Sequence, residues 1–325
     1  KEIVNKVLMG PARLSATPVE VVAAADLPDP RQLREMSGEE QKNLRKMNTQ
    51  GIKDLNVAWL GSMIKSGHPL HEKMSLFWHG HFACRTQNVL FNQQLLSVIR
   101  EHALGNFGDL LLAVSKSPAM LQFLNNQQNR KQHPNENFAR EVMELFTMGR
   151  GHYSEQDVKE GARAFTGWGF DRSGAFVFRH KQHDEGRKTF LGKQGNFDGD
   201  DVLKILLEQK QTAQFITAKI YAYFVDETPD EAHIAALSDK FYHSGYDIRS
   251  LMREIFMADW FYDSRIVGNR IKSPVELLVG IRKTVPMDFE KEEMMLLFQR
   301  VLGQLLFYPP NVAGWPGGRS WIDSS

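Results

Sequence analysis

Apolar residues recur along most of this chain at intervals of three and four, the spacing of one face of an α-helix. Between residues 31 and 65, for example, a stripe of this kind stands among polar residues: Leu44, Met47, Ile52, Leu55, Ala58 and Leu60. The same spacing predicts further helices at about 70–84, 88–103, 119–124, 136–148, 154–165, 201–208, 212–224, 229–243, 248–257, 274–283 and 290–302. The chain is therefore predicted to be mainly α-helical.

One window, residues 168–191, breaks the helical spacing. Residues 174–178 are short and rich in β-prone side chains, and residues 188–191 are expected to pair with them as a hairpin. We therefore predict a single multi-helix globular domain over 1–325, with a small β-hairpin insert near 170–191. Residues 1–30 are predicted to form an N-terminal arm, and the Pro-, Gly- and Trp-rich residues 308–325 an irregular tail.

Composition excludes several classes of function. The 325 residues include 40 basic and 39 acidic side chains, so the net charge of +1 gives no footprint for nucleic acid. No apolar run approaches the roughly 18 residues of a spanning helix, so no membrane span is predicted. Cys84 stands alone, which precludes an intrachain disulfide, and a buried hydrophobic role is favoured for it.

Two patterns that resemble metal sites fail on spacing. His79 and His81 are two positions apart, so on a helix they point in opposite directions, and core or capping roles are favoured. A calcium loop beginning at Asn196 would need Gly and Glu where Asp201 and Leu207 stand. Asp200 or Asp201 is instead expected to cap the following helix. No metal site and no cofactor are predicted.

The segment 125–149 is the most unusual polar stretch. An Asn-rich loop, 125–134, precedes a helix whose polar face carries Asn137, Arg140, Glu141 and Glu144. Such an ensemble can hold a polar ligand through charge-assisted hydrogen bonds, or it can be a structural network, which is favoured. The candidate ligand-binding residues, which include two from the insert, are Asn125, Asn129, Asn135, Asn137, Arg140, Trp168 and Asp184.

Two classes of function remain open. In the favoured one, a polar Asn/Glu/Arg concavity and the terminal Trp315 and Trp321 bind a glycan or a protein partner. In the alternative, a hydrolase-type enzyme uses acid–base chemistry, with or without a metal ion. The candidate catalytic residues are Glu136, Glu141, Glu144 and His183. All these residues except the terminal Trp pair are expected around one concavity.

Ordered motifs add a family resemblance. They include Pro134-Asn135-Glu136-Asn137, Ala139-Arg140-Glu141, Glu144 to Gly149, Ala164 to Trp168 and His183-Asp184. With these motifs the chain resembles, over nearly its whole length, the bacterial family catalogued as domain of unknown function 1800. Asn125 stands where that family often has Asp, and Phe146 where many members have His.

The resemblance has implications for location and partner but not for a reaction. It implies an exported protein, periplasmic or extracellular. It also implies a partner similar to alkaline phosphatases and sulfatases, encoded nearby and exported as well.

Overall fold

The computed structural model describes residues 4, 18–23, 32, 35–285 and 293–322. Its α-helices, in chain order, are α1 (Gly38–Lys65), α2 (Pro69–His81), α3 (Val89–His102), α4 (Phe107–Ser115), α5 (Pro118–Phe123), α6 (Glu136–Glu141), α7 (Glu155–Ala164), α8 (Gly199–Leu207), α9 (Lys210–Phe224), α10 (Glu231–His243), α11 (Ile248–Met257), α12 (Pro274–Thr284) and α13 (Glu293–Val301). The prediction of a mainly α-helical fold is confirmed. Most of the predicted N-terminal arm, residues 1–30, lies outside the described residues.

Side-chain caps begin several of these helices. Ser154 and Asp157 have the three-residue spacing of a capping box, and this box begins α7. The Ser154 hydroxyl accepts from the amide of Asp157 at 3.2 Å, and the Asp157 carboxylate accepts from the amide of Ser154 at 2.9 Å. The predicted cap of α8 was wrong: Asp198 is the N-cap, and its carboxylate accepts from the amide of Asp201 at 3.1 Å. Asp198 is the last extended residue before the helical Gly199, which is the N-cap position, and the Asp201 carboxylate accepts in return from the amide of Asp198 at 3.2 Å.

The helix predicted over 136–148 changes form halfway. α6 ends at Glu141, and a π-helix continues over Val142–Thr147. The hydroxyl of Thr147 donates to the carbonyl of Val142 at 2.7 Å, which is five residues back and matches the wider turn. Helical periodicity does not distinguish one wide turn from an α-helix, and such turns are frequent at functional sites.

The insert contains two hairpins rather than the single predicted one. β1 (Trp168–Phe170) pairs antiparallel with β2 (Phe176–Phe178), and β3 (Lys188–Phe190) pairs with β4 (Lys193–Gly195). The predicted pairing of 174–178 with 188–191 was therefore wrong. Each strand finds a nearer partner through a tight turn: the Asp171 carboxylate accepts from the amides of Ser173 and Ala175, closing β1 on β2.

Two apolar clusters form the core. The larger one joins α2 to α11 and contains the stacked rings of Trp78, Phe82 and Phe107. The smaller one lies between α1, α12 and α13 and is centred on Trp59, which is completely buried. Among the described residues no helix combines the length and the apolar character needed to cross a membrane, in agreement with the sequence.

Candidate functional site

Asn side chains that were predicted to bind a ligand form hydrogen bonds with backbone groups instead. The amide nitrogen of Asn129 donates to the Ala162 carbonyl at 2.9 Å, and its oxygen accepts from the Asn135 amide at 2.9 Å. Asn137 donates to the carbonyl of Leu124 at 3.3 Å, while Asn135 caps α6. These contacts tie the loop to α7 and α5, as in the structural network favoured from the sequence. The backbone of Asn125, at the start of this loop, lies in the left-handed region, with a φ of 58°.

Arg140 makes ion pairs at the edge of the molecule. Its guanidinium holds both carboxylate oxygens of Glu155 at 2.8 Å and one oxygen of Glu136 at 3.3 Å. The side chain of Arg140 is 33% exposed and that of Glu155 is 70% exposed, so this network is not buried. Glu155, on α7, thus supplies the bidentate partner of Arg140.

Glu144 has partners of its own. It accepts from the Tyr153 hydroxyl at 2.7 Å and from Arg150 at 2.6 Å, and the Tyr153 hydroxyl is the main cause of its lowered pKa. The pKa of Glu141 is raised, first by burial and then by the nearby charge of Glu144. The carboxyl group of Glu141 therefore keeps its proton to a higher pH than that of Glu144.

His183 and Asp184 face different partners. The buried His183 places Nδ1 2.9 Å from the carbonyl oxygen of Thr166. The carboxylate of Asp184 accepts from Nε of Arg163 at 2.8 Å and from its Nη2 at 3.1 Å, and this pair lowers the pKa of Asp184. Adjacent in sequence, the two side chains therefore do not form a His–Asp pair.

Backbone hydrogen bonds join the Asn-rich loop to the hairpin region. The amide of Lys131 donates to the carbonyl of Gln182 at 2.8 Å, and that of Gly167 donates to the carbonyl of Asn129 at 3.0 Å. The structure thus brings these two predicted segments together. Trp168, however, is only 2% exposed and packs its ring on Phe165 within the core.

A cleft of about 430 Å³ lies elsewhere, between α2, α9 and the C-terminal segment 313–321. We call it the Lys219 cleft. Its wall includes Phe77, His81, Lys219, Tyr223, Glu227, Arg270, Trp315 and Trp321. Trp315 and Trp321 form the predicted aromatic binding surface, and a core or capping role is the one predicted for His81.

Lys219 has no counter-ion among the described residues. No hydrogen bond or ion pair joins its ammonium to another residue of that part of the chain, and the ammonium lies 4.9 Å from the centroid of the Phe215 ring. Burial lowers the pKa of Lys219. The sequence contains a weak indication that Lys219 lies toward the interior. It stands three residues after Ile216 and four before Tyr223, beside the buried stripe of α9.

His81 offers an unused acceptor beside this lysine. Its Nε2 lies 3.2 Å from the carbonyl oxygen of Phe146 and donates to it, whereas its buried Nδ1 has no partner among the described residues. Burial first, and the Lys219 charge second, keep the pKa of His81 well below its usual range. The imidazole is therefore neutral with a lone pair on Nδ1.

An ion cluster fixes another part of the wall. Arg270 holds both carboxylate oxygens of Glu276 at 2.8 Å, and Lys73 approaches the same carboxylate at 3.2 Å. Although burial opposes ionisation, these cations lower the pKa of Glu276 to about 2. The Arg270 guanidinium also lies over the ring of Tyr223, 4.3 Å from its centroid.

A glycine seats the C-terminal segment on α2. Gly314 has a φ of +85°, and a Cβ there would lie 2.5 Å from the carbonyl oxygen of Gly80. Close approach of the two backbones lets Trp315 stack on His79, with ring centroids 5.4 Å apart. The tail predicted as irregular contains a 3₁₀ turn, Gly318–Trp321, and supplies one side of the cleft.

The described residues offer little support for metal binding or for a reactive thiol. Within the described residues, no three His, Cys, Asp or Glu side chains are grouped so that they could hold a metal ion. Cys84 is buried, as expected, and burial raises the pKa of its thiol.

Comparison with known proteins identifies the family. A family model described as a protein of unknown function (DUF1800) matches residues 3–325. No curated protein and no solved structure matches the chain. The family description carries no reaction or ligand, so function has to be argued from the residues of the site. Both the motifs and the family match show that the chain belongs to the DUF1800 family.

Proposed function

We propose that the Lys219 cleft binds an anionic ligand with a ring-shaped body, of the type of an acidic sugar. The observation that carries this is the Lys219 ammonium, which lines the cleft without a counter-ion among the described residues. A partly buried, unpaired charge destabilises a fold. An anionic ligand would offset that cost on binding.

The other walls suit a sugar ring. Trp315 and Trp321 offer broad apolar faces that lose little conformational entropy when a ligand packs against them. A uronic acid combines the two features required: a carboxylate and a flat apolar face.

Titration calorimetry with glucuronate, glucose and glucosamine tests the proposal. Glucuronate is expected to bind the full chain, with glucose weaker and the cationic glucosamine not bound. Lys219→Met should abolish glucuronate binding. Lys210→Met, at an exposed lysine of the same helix, is the matched control and should leave it unchanged. Equal loss in both variants, or no glucuronate binding by the original chain, would contradict the proposal.

The concavity proposed from the sequence is not needed for this function. Its Asn, Arg and Glu side chains mostly engage the backbone or one another. The hydrolase alternative is favoured by one observation, the different ionisation of Glu141 and Glu144. Glu141→Gln in a hydrolase assay with aryl ester and aryl glycoside substrates tests it, and activity that survives the substitution would sink it.

We further propose an extracytoplasmic location and an exported, phosphatase- or sulfatase-like partner, both of which the family resemblance supports. Fractionation of cells that express the whole gene tests the location. Affinity purification from the periplasm tests the partner, and a protein found only in the cytosol would contradict both.

A further inference from the structure

A second cleft, of about 600 Å³, opens on the other side of the Arg270–Glu276 pair. Its lining is mostly apolar, contributed by α1, α2, α9, α12 and residues 261–268, and includes Met63, Leu76, Phe224, Phe261, Ile266 and Val279. We call it the apolar cleft. Its volume falls within the roughly 300–1,000 Å³ typical of ligand pockets.

Cations outnumber anions around the apolar cleft. The two carboxylates on its wall are already paired, Glu72 with Arg100 and Glu276 with Arg270. Two further lysines line the cleft, Lys272 and Lys283, and neither has a hydrogen bond or ion pair to another residue within the described ranges. The apolar surface is therefore bordered by two lysine charges that pair with no carboxylate of the described residues.

One of these charges lies directly over the wall of the cleft. A Cβ placed on Gly280, in α12, would be 3.7 Å from Nζ of Lys272. The ammonium thus reaches across the helix face at Gly280, a residue of the wall that has no side chain. A ligand with an apolar part against Val279 and Leu76 would place its polar end near this ammonium.

We propose that the apolar cleft binds an anionic amphiphile with a single alkyl chain, of the type of a fatty acid. Burial of each methylene of the alkyl chain stabilises binding, so the apolar wall supplies affinity. The lysines supply the preference for an anionic head group through charge-assisted hydrogen bonds. This site rests on Lys272 and Gly280, which the proposed sugar site does not use.

Binding of dodecanoate, dodecanol and dodecyltrimethylammonium, each below its micelle concentration, tests the proposal by titration calorimetry on the full chain. Dodecanoate is expected to bind one-to-one, about tenfold more tightly than dodecanol, a difference of roughly 1.4 kcal/mol. The cationic amphiphile is expected not to bind. Binding of all three with equal affinity, or of none, would overturn the proposal.

Two glycine variants locate the site. Gly280→Leu adds a side chain where only the mobile end of Lys272 lies within 4 Å, so it should fill the cleft without harm to the fold. Gly61→Leu, in the interior of α1 with open space around its Cβ, is the matched control. Loss of dodecanoate binding in the first variant alone supports the proposal, whereas binding retained in both refutes it.

A charge variant separates the head group from the chain. In Lys272→Met/Lys283→Met, dodecanoate should weaken about tenfold to the level of dodecanol, whose own affinity stays unchanged. An unchanged preference for dodecanoate would refute the role of the lysines. Lys219→Met should leave dodecanoate binding intact, so failure of the sugar site and failure of this site are distinguishable.

Discussion

The Nε2 atom of His81 donates a hydrogen bond to the carbonyl oxygen of Phe146, 3.2 Å away. Phe146 belongs to the π-helix Val142–Thr147, so the C-terminal end of α2 is tied to the segment that follows the Asn-rich loop. Glu144, in the same π-helix, points to Tyr153 and Arg150 at the surface. The π-helix thus contacts the wall of the Lys219 cleft through Phe146 and the surface ion-pair network through Glu144.

The buried histidines should make stability depend on pH. Burial lowers the pKa of His79 to about 3 and keeps that of His81 well below its usual 6.5. At a pH below 6.5 but above the lowered pKa, each of these histidines is protonated in the unfolded chain and neutral in the folded chain. The free energy of unfolding therefore falls as the pH falls. From pH 6 to pH 5, each of the two histidines should contribute a loss approaching 1.4 kcal/mol. Urea denaturation at both pH values measures the loss.

Substitution isolates one histidine. His81→Gln keeps a donor for the Phe146 carbonyl but does not titrate, so the slope of stability against pH should fall by about 1.4 kcal/mol per pH unit. His243→Gln, at a histidine whose side chain is 62% exposed, is the control for the substitution itself. An equal slope in the His81 variant would contradict a neutral His81 in the fold.

Two arginines should differ sharply in their effect on stability. Arg100 is buried and its guanidinium donates to Glu72, which also accepts from the indole of Trp59 at 3.1 Å. Arg100→Met leaves a buried carboxylate without its cation and should cost about 3–5 kcal/mol. Arg140→Lys, in the exposed network, should leave the melting temperature nearly unchanged. Thermal unfolding of the two variants would contradict this if Arg140→Lys proved the more damaging.

Asn129 is expected to be the most important amide of the Asn-rich loop. Asn129→Ala removes a donor to the buried Ala162 carbonyl and an acceptor for the Asn135 amide. Unsatisfied buried groups cost about 1–3 kcal/mol each, so the loss of these two partners should cost roughly 2–6 kcal/mol. Asn137→Ala, which loses one longer bond to Leu124, should cost less. The reverse order in urea denaturation would show that the loop is held by other contacts.

Local patterns in the sequence predicted the local parts of this structure. The helices and the box of Ser154 with Asp157 depend on residues a few positions apart, and both are present. The pairing of the strands was predicted wrongly because a turn such as that at Asp171 gave a nearer partner than residues 188–191. The π-helix was missed because its wide turn leaves the apolar stripe intact.

The candidate site could be predicted only in part because its contacts are distant in sequence. Residues 125–149 are visibly polar, but the partner of Asn129 is a carbonyl on another helix, 33 positions away. Lys219 is one lysine among many until α2 and Trp315 are placed beside it. What makes it unusual is that it pairs with no carboxylate among the described residues, a property that no local pattern contains.

Gly167 should be the least tolerant glycine of the hairpin region. Its φ is +83°, and a Cβ there would lie 2.7 Å from the carbonyl oxygen of Arg179, a backbone atom that cannot move cheaply. The same residue exchanges backbone hydrogen bonds with Asn129 and Arg179, so a shift would disturb both segments. Gly192 is the matched control, since its φ is +79° but nothing lies within 4 Å of its Cβ position.

The two substitutions separate the cost of backbone strain at a positive φ from the cost of a steric clash. Gly192→Ala should cost about 1 kcal/mol, the strain of a left-handed alanine. Gly167→Ala should cost that strain plus roughly 1–3 kcal/mol for the collision with Arg179. Because the Gly167 amide bonds to Asn129, loss at this position should also raise hydrogen exchange in the Asn-rich loop, whereas Gly192→Ala should not. Equal costs in urea denaturation would mean that the close approach to Arg179 relaxes without loss of stability.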